Sequence, residues 1–256
     1  YFGDAQRAAT KEAVELAGLE LIDLLPEPVA AALAFAIERV DDIDGRSLIV
    51  YDLGGGTFDA TLLTADIERH DDLITLQPKV IAKEGDRELG GLDWNRALEN
   101  MVCESVLAEH DHNPRNDAAD HQALRDQVED GKIALSQSTS THLAAGLRGH
   151  QVQVSRAELE AETMSLLAQT EEALLKVIKK AEEMADQDPR LKDENREALL
   201  CGGSTRMPSV RELVTRTMRK EPLTHGNPDL LVTIGAAYWA YLAGEGRTSD
   251  IAEGGT

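Results

Sequence analysis

The spacing of apolar residues along the chain predicts its first elements. Apolar positions over residues 5–17 recur at helical intervals and stop at Gly18, which predicts an amphipathic helix. Residues 19–25 form a short apolar run that predicts a buried strand. Pro28 suits the first position of a second helix, and residues 29–37 of that helix are apolar on every side. We expect such a helix to be buried all round.

The next apolar runs predict strands. Residues 48–53 and 58–63 are separated by a glycine-rich turn, which predicts a β-hairpin. Residues 73–82 predict a third strand, and Pro78 assigns it to a sheet edge because proline has no N–H to donate. A further buried strand is predicted over residues 198–201.

The rest of the chain has a mainly helical pattern. Ser155 and Glu158 have the spacing of a capping box, which predicts one long helix from Ser155 to about Asp186. The order of strands and helices predicts an α/β domain with an α+β subdomain inserted near residues 91–155. The other predicted elements are helices over residues 93–109, 119–136 and 230–242, a helix that opens at Pro208, and polar strands between residues 139 and 154.

Composition and charge narrow the classes of function. The chain has 256 residues, of which 42% are hydrophobic and 29% charged, as is typical of a globular protein with a substantial core. Its formal net charge is −21, and a surface that acidic repels nucleic-acid backbones and anionic lipids. We therefore expect no nucleic-acid or membrane partner. A phosphate ligand would need a recessed site with backbone dipoles, a few cations or Mg²⁺.

The cysteines favour a reducing compartment, and the chain ends suggest a piece of a longer protein. Cys103 and Cys201 lie far apart in apolar contexts, which predicts buried free thiols in a reducing environment. The longest apolar stretch, residues 230–243, is too short to cross a bilayer. The chain opens without methionine and closes on a polar, glycine-rich run over residues 245–256. We expect a piece of a longer cytoplasmic protein, with that run as a disordered or linker tail.

The most informative motif lies at the hairpin turn. Residues 52–59 read Asp-Leu-Gly-Gly-Gly-Thr-Phe-Asp. Glycine has no Cβ, so backbone N–H groups in such a turn can approach an anion closely. Thr57 adds a hydroxyl donor, and Asp52 can hold a metal ion or a metal-bound water. A tight turn alone would also explain three glycines, but the flanking Asp52 and Thr57 favour a phosphate site.

A second glycine motif follows the strand predicted over residues 198–201. Residues 202–208 read Gly-Gly-Ser-Thr-Arg-Met-Pro and open a helix, so they could cradle an anion or a nucleotide at a helix N-terminus. Arg206 can stack on a flat ring or pair with phosphate. A plain strand-to-helix turn is the alternative. Because both glycine motifs occur in one chain, we expect a divided site between two loops.

Other polar residues are candidates for the same site. Glu27 stands at the mouth of the buried helix, where it either favours the helix dipole or acts as a base or water-orienting group. Glu129, Lys132 and Ser136 share one helical face, which a solvated surface would also explain. Gly131 interrupts that helix at a cost of about 1 kcal/mol relative to alanine, which indicates close packing.

Together these motifs resemble the 70-kDa heat-shock (DnaK-type) chaperones. The resemblance extends over essentially the whole chain and matches the second lobe of the family's ATPase domain. Several motifs occur in the family's order, which is far more specific than any one of them. They are residues 1–10 (Tyr-Phe-Gly-Asp-Ala-Gln-Arg-Ala-Ala-Thr), 27–33, 51–59, 89–93, 202–208, and 227–229 with 235–237.

The resemblance implies an α/β lobe with the actin-like (ribonuclease H-like) fold. Residues 1–90 and 156–244 would form a discontinuous subdomain IIA. Residues 91–155 would form the inserted subdomain IIB, on which nucleotide-exchange factors act. The implied cofactors are ATP or ADP with Mg²⁺, and K⁺ as a further cation.

The resemblance also implies roles for individual residues. Asp52 would hold Mg²⁺ through water, and Asp59 would be a weaker cation ligand. Glu27 would orient the attacking water, and Thr57 would complete the catalytic group. The residues implied in nucleotide binding are Gly54, Gly55, Gly56, Thr57, Glu129, Lys132, Ser136, Gly202, Gly203, Ser204, Arg206 and Asp229.

The chain departs from the family pattern at several positions. Pro26 stands where asparagine usually precedes Glu-Pro, and residues 129–132 read Glu-Asp-Gly-Lys in place of a more helical sequence. Residues 230–233 read Leu-Leu-Val-Thr, which is another departure. The family's first phosphate loop, its catalytic lysine and its peptide-binding domain have no counterpart in the chain.

These expectations combine into one predicted function with two alternatives. The parent protein would be a chaperone that couples ATP hydrolysis to binding and release of unfolded polypeptide, with a J-domain co-chaperone and a nucleotide-exchange factor as partners. The isolated lobe would bind nucleotide weakly and would not hydrolyse it. The alternatives are an actin-fold kinase of small molecules, for which no acceptor pocket is evident, and a non-enzymatic regulator switched by nucleotide.

Overall fold

The computed structural model describes residues 3–70, 73–246 and 252–253. In these residues five strands form one mixed sheet, and two more form a separate hairpin. The strands are β1 (Ser47–Leu53), β2 (Phe58–His70), β3 (Leu73–Asp86), β4 (Ser140–Ala145), β5 (His150–Ser155), β6 (Arg196–Cys201) and β7 (Ala252–Glu253).

The same residues contain eight α-helices, none of which is long and apolar enough to span a bilayer. Each element predicted from the sequence is present with its ends shifted, apart from the strand over residues 19–25 and the single helix from Ser155 to Asp186. The helices are α1 (Asp4–Leu16), α2 (Glu27–Arg39), α3 (Gly91–His110), α4 (Ala118–Gln137), α5 (Arg156–Glu162), α6 (Met164–Met184), α7 (Pro208–Met218) and α8 (Leu231–Gly244).

Strand β1 lies between β2 and β6 in the sheet. It runs antiparallel to β2, with Leu53 opposite Phe58, which confirms the predicted hairpin. It runs parallel to β6, with Asp52 opposite Cys201. Parallel neighbours end at the same edge of a sheet, so the loops that follow β1 and β6 leave the sheet side by side.

Strand β3 is the second strand from the sheet edge, so the prediction of an edge strand from Pro78 is wrong. One side of β3 pairs with β2, where Pro78 is opposite Ala65, and the other side pairs with the two residues of β7. Proline is tolerated there because the described residues of β7 pair with Lys79 and Val80 and not with Pro78. β7 belongs to the predicted tail, of which residues 247–251 and 254–256 lie outside the described residues.

Helices cover both faces of the sheet. On one face Tyr51 packs with Val177 of α6 and Val210 of α7. On the other face Val50 packs in a second core that includes α2 and Trp239 of α8. The alternation of side chains along β1 therefore serves two cores at once.

Helix α2 is buried all round, as its apolar sequence predicts. Residues 28–36 are all buried. Helix α8 packs against it at Gly235, where an added Cβ would lie 1.8 Å from the carbonyl oxygen of Ala30. Only glycine permits two helix backbones to approach in this way.

A third core lies away from the sheet. It is formed by α3, α4, α5 and the β4–β5 hairpin, with Leu98, Val128 and Leu143 among its buried members. Gly131 gives Leu143 room, since an added Cβ would lie 2.3 Å from the Leu143 Cδ2 atom. This contact confirms the close packing that a glycine inside α4 indicates.

The prediction of a strand over residues 19–25 is wrong. These residues form no strand, and Leu19 and Ile22 expose 66% and 62% of their surface. A strand needs a free sheet edge. One described edge lies beside β7, and the other lies beside Leu223, whose amide donates to the carbonyl of Ala198. None of the described side chains of α1 is buried either, so α1 lies outside the three cores.

The single helix predicted from Ser155 to Asp186 is interrupted. Its capping box is confirmed, because the Ser155 hydroxyl and the Glu158 carboxylate each accept from the other's amide. The break occurs at Thr163, whose hydroxyl donates to the Leu159 carbonyl at 2.7 Å. Since α5 packs in the third core and α6 packs on the sheet, the break redirects the chain between two cores.

Replacing Gly235 by alanine is expected to lower the free energy of unfolding by about 1–3 kcal/mol, because α2 and α8 must separate to admit the Cβ. Chemical denaturation of the purified chain measures this change. Gly244→Ala is the matched control: Gly244 ends α8, and no atom lies within 4 Å of its Cβ position. The control should stay within about 0.5 kcal/mol of the original chain. Equal effects of the two substitutions would contradict the close approach of the helices.

Candidate functional site

The side chains of Asp52, Asp59, Cys201 and Glu27 gather at the end of β1. Asp52 lies opposite Asp59 of β2 on one side and opposite Cys201 of β6 on the other. Because side chains alternate along a strand, Asp52 lies on the same sheet face as Val50, which packs with α2. Glu27 begins α2 on that face, and its charge acts on Asp52.

This environment raises the pKa of the Asp52 carboxyl to about 6. Burial is the largest cause, and the negative charges of Glu27 and Asp59 follow. A hydrogen bond from the Cys201 thiol opposes the shift in part. In turn, burial and the neighbouring Asp52 raise the pKa of Cys201. A cluster of acids that includes a carboxyl with a raised pKa favours the binding of a cation or a proton.

The first glycine loop, residues 54–57, follows β1 and turns its carbonyl oxygens toward α3. The Gly54 amide donates to the Thr57 carbonyl at 3.0 Å and closes the turn. The Gly54 carbonyl accepts from the Gly91 amide at 2.9 Å, and the Gly55 carbonyl accepts from the Leu92 amide at 2.7 Å. Within the described residues, the amides of Gly55 and Gly56 have no acceptor, and both glycines are exposed. These amides can therefore bind an anion.

The turn before α3 fits against the first glycine loop because it consists of two glycines. An added Cβ on Gly90 would lie 2.6 Å from the carbonyl carbon of Gly55. An added Cβ on Gly91 would lie 2.3 Å from the Ser204 Oγ atom. Side chains at either position would separate the segments that meet here.

The second glycine loop, residues 202–206, follows β6 and contacts the first. Gly202 has a φ angle of 84°, and an added Cβ would lie 2.4 Å from the Leu53 carbonyl oxygen. Both the positive φ and the close approach require glycine. The Ser204 hydroxyl donates to the Gly54 carbonyl at 3.0 Å. The two loops are therefore in direct contact, and the divided site expected between them stays a prediction.

Arg206 and Asp229 form the outer side of the second glycine loop. Arg206 Nη2 donates to Asp229 at 2.9 Å and to Asn227 at 2.7 Å. Asp229 also packs on Gly203, where an added Cβ would lie 2.5 Å from the Asp229 Oδ1 atom. The guanidinium and the carboxylate are each 49% exposed. A guanidinium held in this way can stack on a flat ring.

Helix α4 brings two charged residues, Lys132 and Glu129, close to the turn before α3. The buried Lys132 donates to the Gly91 carbonyl at 3.1 Å and pairs with Glu129 at 3.3 Å. Glu129 also accepts a hydrogen bond from Asn95 of α3. Ser136 donates to the Lys132 carbonyl at 3.2 Å, one turn further along. The polar face of α4 therefore contacts the turn before α3 at Lys132 and is not only a solvated surface.

A shallow cleft of only about 20 Å³ lies beside Lys132, between α4, α5 and the start of α7. Its lining includes Trp94, Ser136, Arg156 and Met207. Trp94 is buried, and the Arg156 guanidinium donates to the carbonyls of Leu135 and Ser138, so the cleft has room for about one water and not for a nucleoside base.

The family model of the Hsp70 protein matches residues 1–252. The chain belongs to the Hsp70 family. It is 37% identical over 255 residues to the chaperone protein DnaK of Mesomycoplasma hyopneumoniae strain 7448, and 35% identical over 254 residues to that of Metamycoplasma hominis. Each match covers 96% of this chain and 40% of the relative, so the chain spans about two fifths of the length of these relatives.

Membership of the Hsp70 family, together with the mixed sheet, confirms the predicted α/β, actin-like fold. The inserted subdomain over residues 91–155 stays a prediction. So do the roles of the individual site residues, although the fold brings most of them together. Ser136 lies away from the loops and lines the cleft, and Asp59 is only 7% exposed.

Sequence reasoning missed several residues that shape this Hsp70-family site. Gly90 and Gly91 belong to a family motif, but only the structure brings them against the first glycine loop. Cys201 is predicted as a buried thiol, and it lies opposite Asp52. Asn227 holds Arg206. The doubled glycine before α3 is a signal of close backbone approach that could have identified the first two.

The acids of the Hsp70-family chain fit a metal ion held through water. In the part of the chain that the structure describes, no three side chains of histidine, cysteine, aspartate or glutamate are arranged to ligate a metal ion directly. Glu27 and Asp59 nevertheless place two negative charges near Asp52, and these charges add to the larger effect of burial on its pKa. Mg²⁺ suits such a place because it keeps several waters and binds through one or two carboxylates together with phosphates.

Replacing Asp52 by asparagine is expected to stabilise the Hsp70-family chain at neutral pH. The pKa of Asp52 rises from 3.8 to about 6 on folding. In the pH window between these two values, the folded state holds a proton that the unfolded state has released. Stability therefore falls as pH rises through the window, and ionised Asp52 costs about 2–3 kcal/mol above it. Urea unfolding at pH values from about 4 to about 8 measures the difference.

The gain from Asp52→Asn should shrink as pH falls toward about 4, where the carboxyl is protonated in the folded state and about half protonated in the unfolded state. Asp186→Asn removes an exposed carboxylate after α6 and is the matched control. It should show no such pH dependence. A gain from Asp52→Asn that stays constant with pH would contradict the raised pKa.

Proposed function

We propose that this chain is the nucleotide-binding lobe of an ATP-dependent chaperone of the Hsp70 family. The proposal rests on the contact between the two glycine loops, in which Gly54 accepts from Ser204 and Gly91 beside the acid Asp52. Family membership and the similarity to DnaK chaperones support it. In the whole protein, ATP hydrolysis would be coupled to binding and release of unfolded polypeptide.

The first glycine loop would hold the β- and γ-phosphates. The exposed amides of Gly55 and Gly56 have no acceptor in the described residues, and the exposed Thr57 adds a hydroxyl. Gly54 would contribute chiefly by its backbone position, since its amide and carbonyl are both bonded within the protein. Converging amides offset the repulsion that a net charge of −21 exerts on a polyphosphate.

The acids at the end of β1 would hold the cation and the attacking water. When bound, ATP supplies the phosphoryl group and Mg²⁺ neutralises charge on its oxygens. Asp52 would hold the hydrated ion through its waters, with Asp59 as a weaker ligand and K⁺ as a further cation. Glu27, exposed in the first turn of α2, would orient the water for in-line attack.

Helix α4 and the second glycine loop would bind the adenosine. The contact of Lys132 with the turn before α3 and the half-exposed guanidinium of Arg206 support this assignment. The residues proposed on this side are Glu129, Lys132, Ser136, Gly202, Gly203, Ser204, Arg206 and Asp229.

We further propose the two subdomains that the resemblance implies. The separate core of α3, α4 and the β4–β5 hairpin supports residues 91–155 as the inserted subdomain IIB. Residues 1–90 and 156–244 would form subdomain IIA, with least support for α1, none of whose described side chains is buried. Residues 245–256 would be a linker.

The partners of the whole protein would follow from this role. A nucleotide-exchange factor would act on subdomain IIB, and a J-domain co-chaperone and unfolded peptides would act elsewhere on the parent, in the cytoplasm. The isolated chain would bind nucleotide weakly and would not hydrolyse it, because the family's first phosphate loop and catalytic lysine belong to another lobe.

In the full-length protein, Glu27→Gln is expected to lower the rate of ATP hydrolysis about 100-fold. The affinity for ATP should change little, because Glu27 would act on the water and not on the nucleotide. Single-turnover release of phosphate measures the rate, and equilibrium titration measures the affinity. Glu12→Gln, on the exposed face of α1, is the matched control and should leave both unchanged.

An unchanged rate in Glu27→Gln would contradict the role of Glu27. Transfer of phosphate to a small alcohol would favour the kinase alternative. Nucleotide-dependent changes without hydrolysis would favour the regulator. Hydrolysis by the isolated chain at the full-length rate would contradict its proposed incompleteness.

A further inference from the structure

Three histidines meet where α3 ends against the β4–β5 hairpin. The rings of His110, the last residue of α3, and His150, the first residue of β5, are stacked, with their centroids 4.0 Å apart and their planes 14° from parallel. The ring of His112, in the loop after α3, has its centroid 5.9 Å from that of His150. None of the three belongs to the proposed nucleotide site. Their contact ties the end of α3 to the hairpin.

The hairpin turn, residues 146–149, has a second tie, to α4. Asp120 of α4 is 4% exposed, and its carboxylate accepts from the Leu147 amide of the turn. The other carboxylate oxygen lies 2.7 Å from His112 Nε2. Gly146 begins the turn with a φ angle of 71°, and an added Cβ there would lie 2.2 Å from the Asp120 Oδ1 atom. Asp120 thus fixes one end of the turn, and the stacked His150 follows the other end.

Positive groups outnumber acids among the groups that act on His150. His110 acts on it from α3, His112 from the loop after α3, and Arg148 from the turn. Asp120 of α4 is the opposing acid. Partial burial is the largest cause of the lowered pKa of His150, and the positive groups lower it further. The folded arrangement therefore favours the neutral ring of His150.

Two acids lie near the stacked pair, and both give it little support once it is charged. Burial alone would raise the pKa of Asp120, but hydrogen bonds from the Leu147 amide and His112 lower it. Asp120 is therefore ionised and already shared between those two partners. Glu109 lies 3.9 Å from His110, but it is 68% exposed, so its attraction is screened by water. If both stacked rings are protonated, two like charges meet at 4.0 Å.

We propose that the stacked pair of His110 and His150 is a pH-sensitive contact, which holds the β4–β5 hairpin against the end of α3 at neutral pH and opens when both rings are protonated. Asp120 keeps the Leu147 amide, so the turn pivots there and its other end moves away from α3. Unperturbed histidine titrates near about pH 6.5, which places the change between neutral and mildly acidic pH. Because the pKa of His150 is lowered in the closed arrangement, the open arrangement binds the proton more readily, and the contact weakens as pH falls. This inference does not depend on the proposed nucleotide site.

Titration of the histidine ring signals by NMR, from about pH 8 to about pH 5, tests the interaction within the pair. His110→Phe keeps a ring that can stack but removes the charge, so the pKa of His150 is expected to rise in this variant. His142→Phe, at an exposed position of β4 in the same hairpin, is the matched control and should leave the pKa of His150 unchanged. If the pKa of His150 is the same in His110→Phe as in the original chain, the proposal is overturned.

Hydrogen exchange at about pH 7.5 and about pH 5, corrected for the intrinsic effect of pH, tests the opening itself. The probe is the Gly149 amide of the turn, which donates to the Gly146 carbonyl at 3.2 Å. Its exchange should accelerate about fivefold at the lower pH, the factor that two unit charges about 4 Å apart give in water.

The variants show whether the stacked pair causes this acceleration. It should be lost in His110→Phe, while exchange in α6 should not change with pH in any of the chains. If His110→Phe fails to fold, His150→Phe removes the same repulsion and carries the test. No acceleration in the original chain, an equal acceleration in α6, or an acceleration that persists in the folded variant would each overturn the proposal.

Discussion

The parallel pairing of β1 with β6 determines where the residues of the proposed site lie. Both strands end at one edge of the sheet, so Asp52 and Cys201 are neighbours and the two glycine loops emerge together. The antiparallel β2 places Asp59 directly opposite Asp52. Helix α2, which packs on the same sheet face as Asp52, places Glu27 near it. A slip of one residue in β1 would turn Asp52 into the opposite core. The site is therefore a consequence of strand register.

The site concentrates features that weaken a fold, and the cores lie elsewhere. Clustered acids raise the pKa of Asp52, and Gly202 adopts a positive φ. The three cores bury their apolar side chains against the two faces of the sheet and around the β4–β5 hairpin. Helix α2 links the two regions, since its body is buried while Glu27 at its start is exposed. Rigid elements thus carry the polar groups that a ligand would meet.

Sequence reasoning succeeded where the signal is local. The capping box at Ser155, the all-apolar α2 and the glycine motifs are each readable within a few residues. The strand expected over residues 19–25 failed because a strand depends on a free edge elsewhere in the fold. The break at Thr163 depends on which core each half of the helix joins. The approach of Ser204 to Gly54, across 150 residues, has no local signal at all. The motifs suggested roles for Asp52, Glu27 and Arg206, and the family resemblance implied the other roles.

The central claim is that the two glycine loops form one nucleotide surface. Backbone amide shifts of the isotope-labelled chain, recorded by NMR as ADP and Mg²⁺ are added, test it most directly. The largest changes should occur at Gly55, Gly56 and Thr57, together with Gly203 in the second loop, and α1 should be unaffected. Changes confined to other regions, such as the β4–β5 hairpin, with the first glycine loop unperturbed at saturation, would contradict the account.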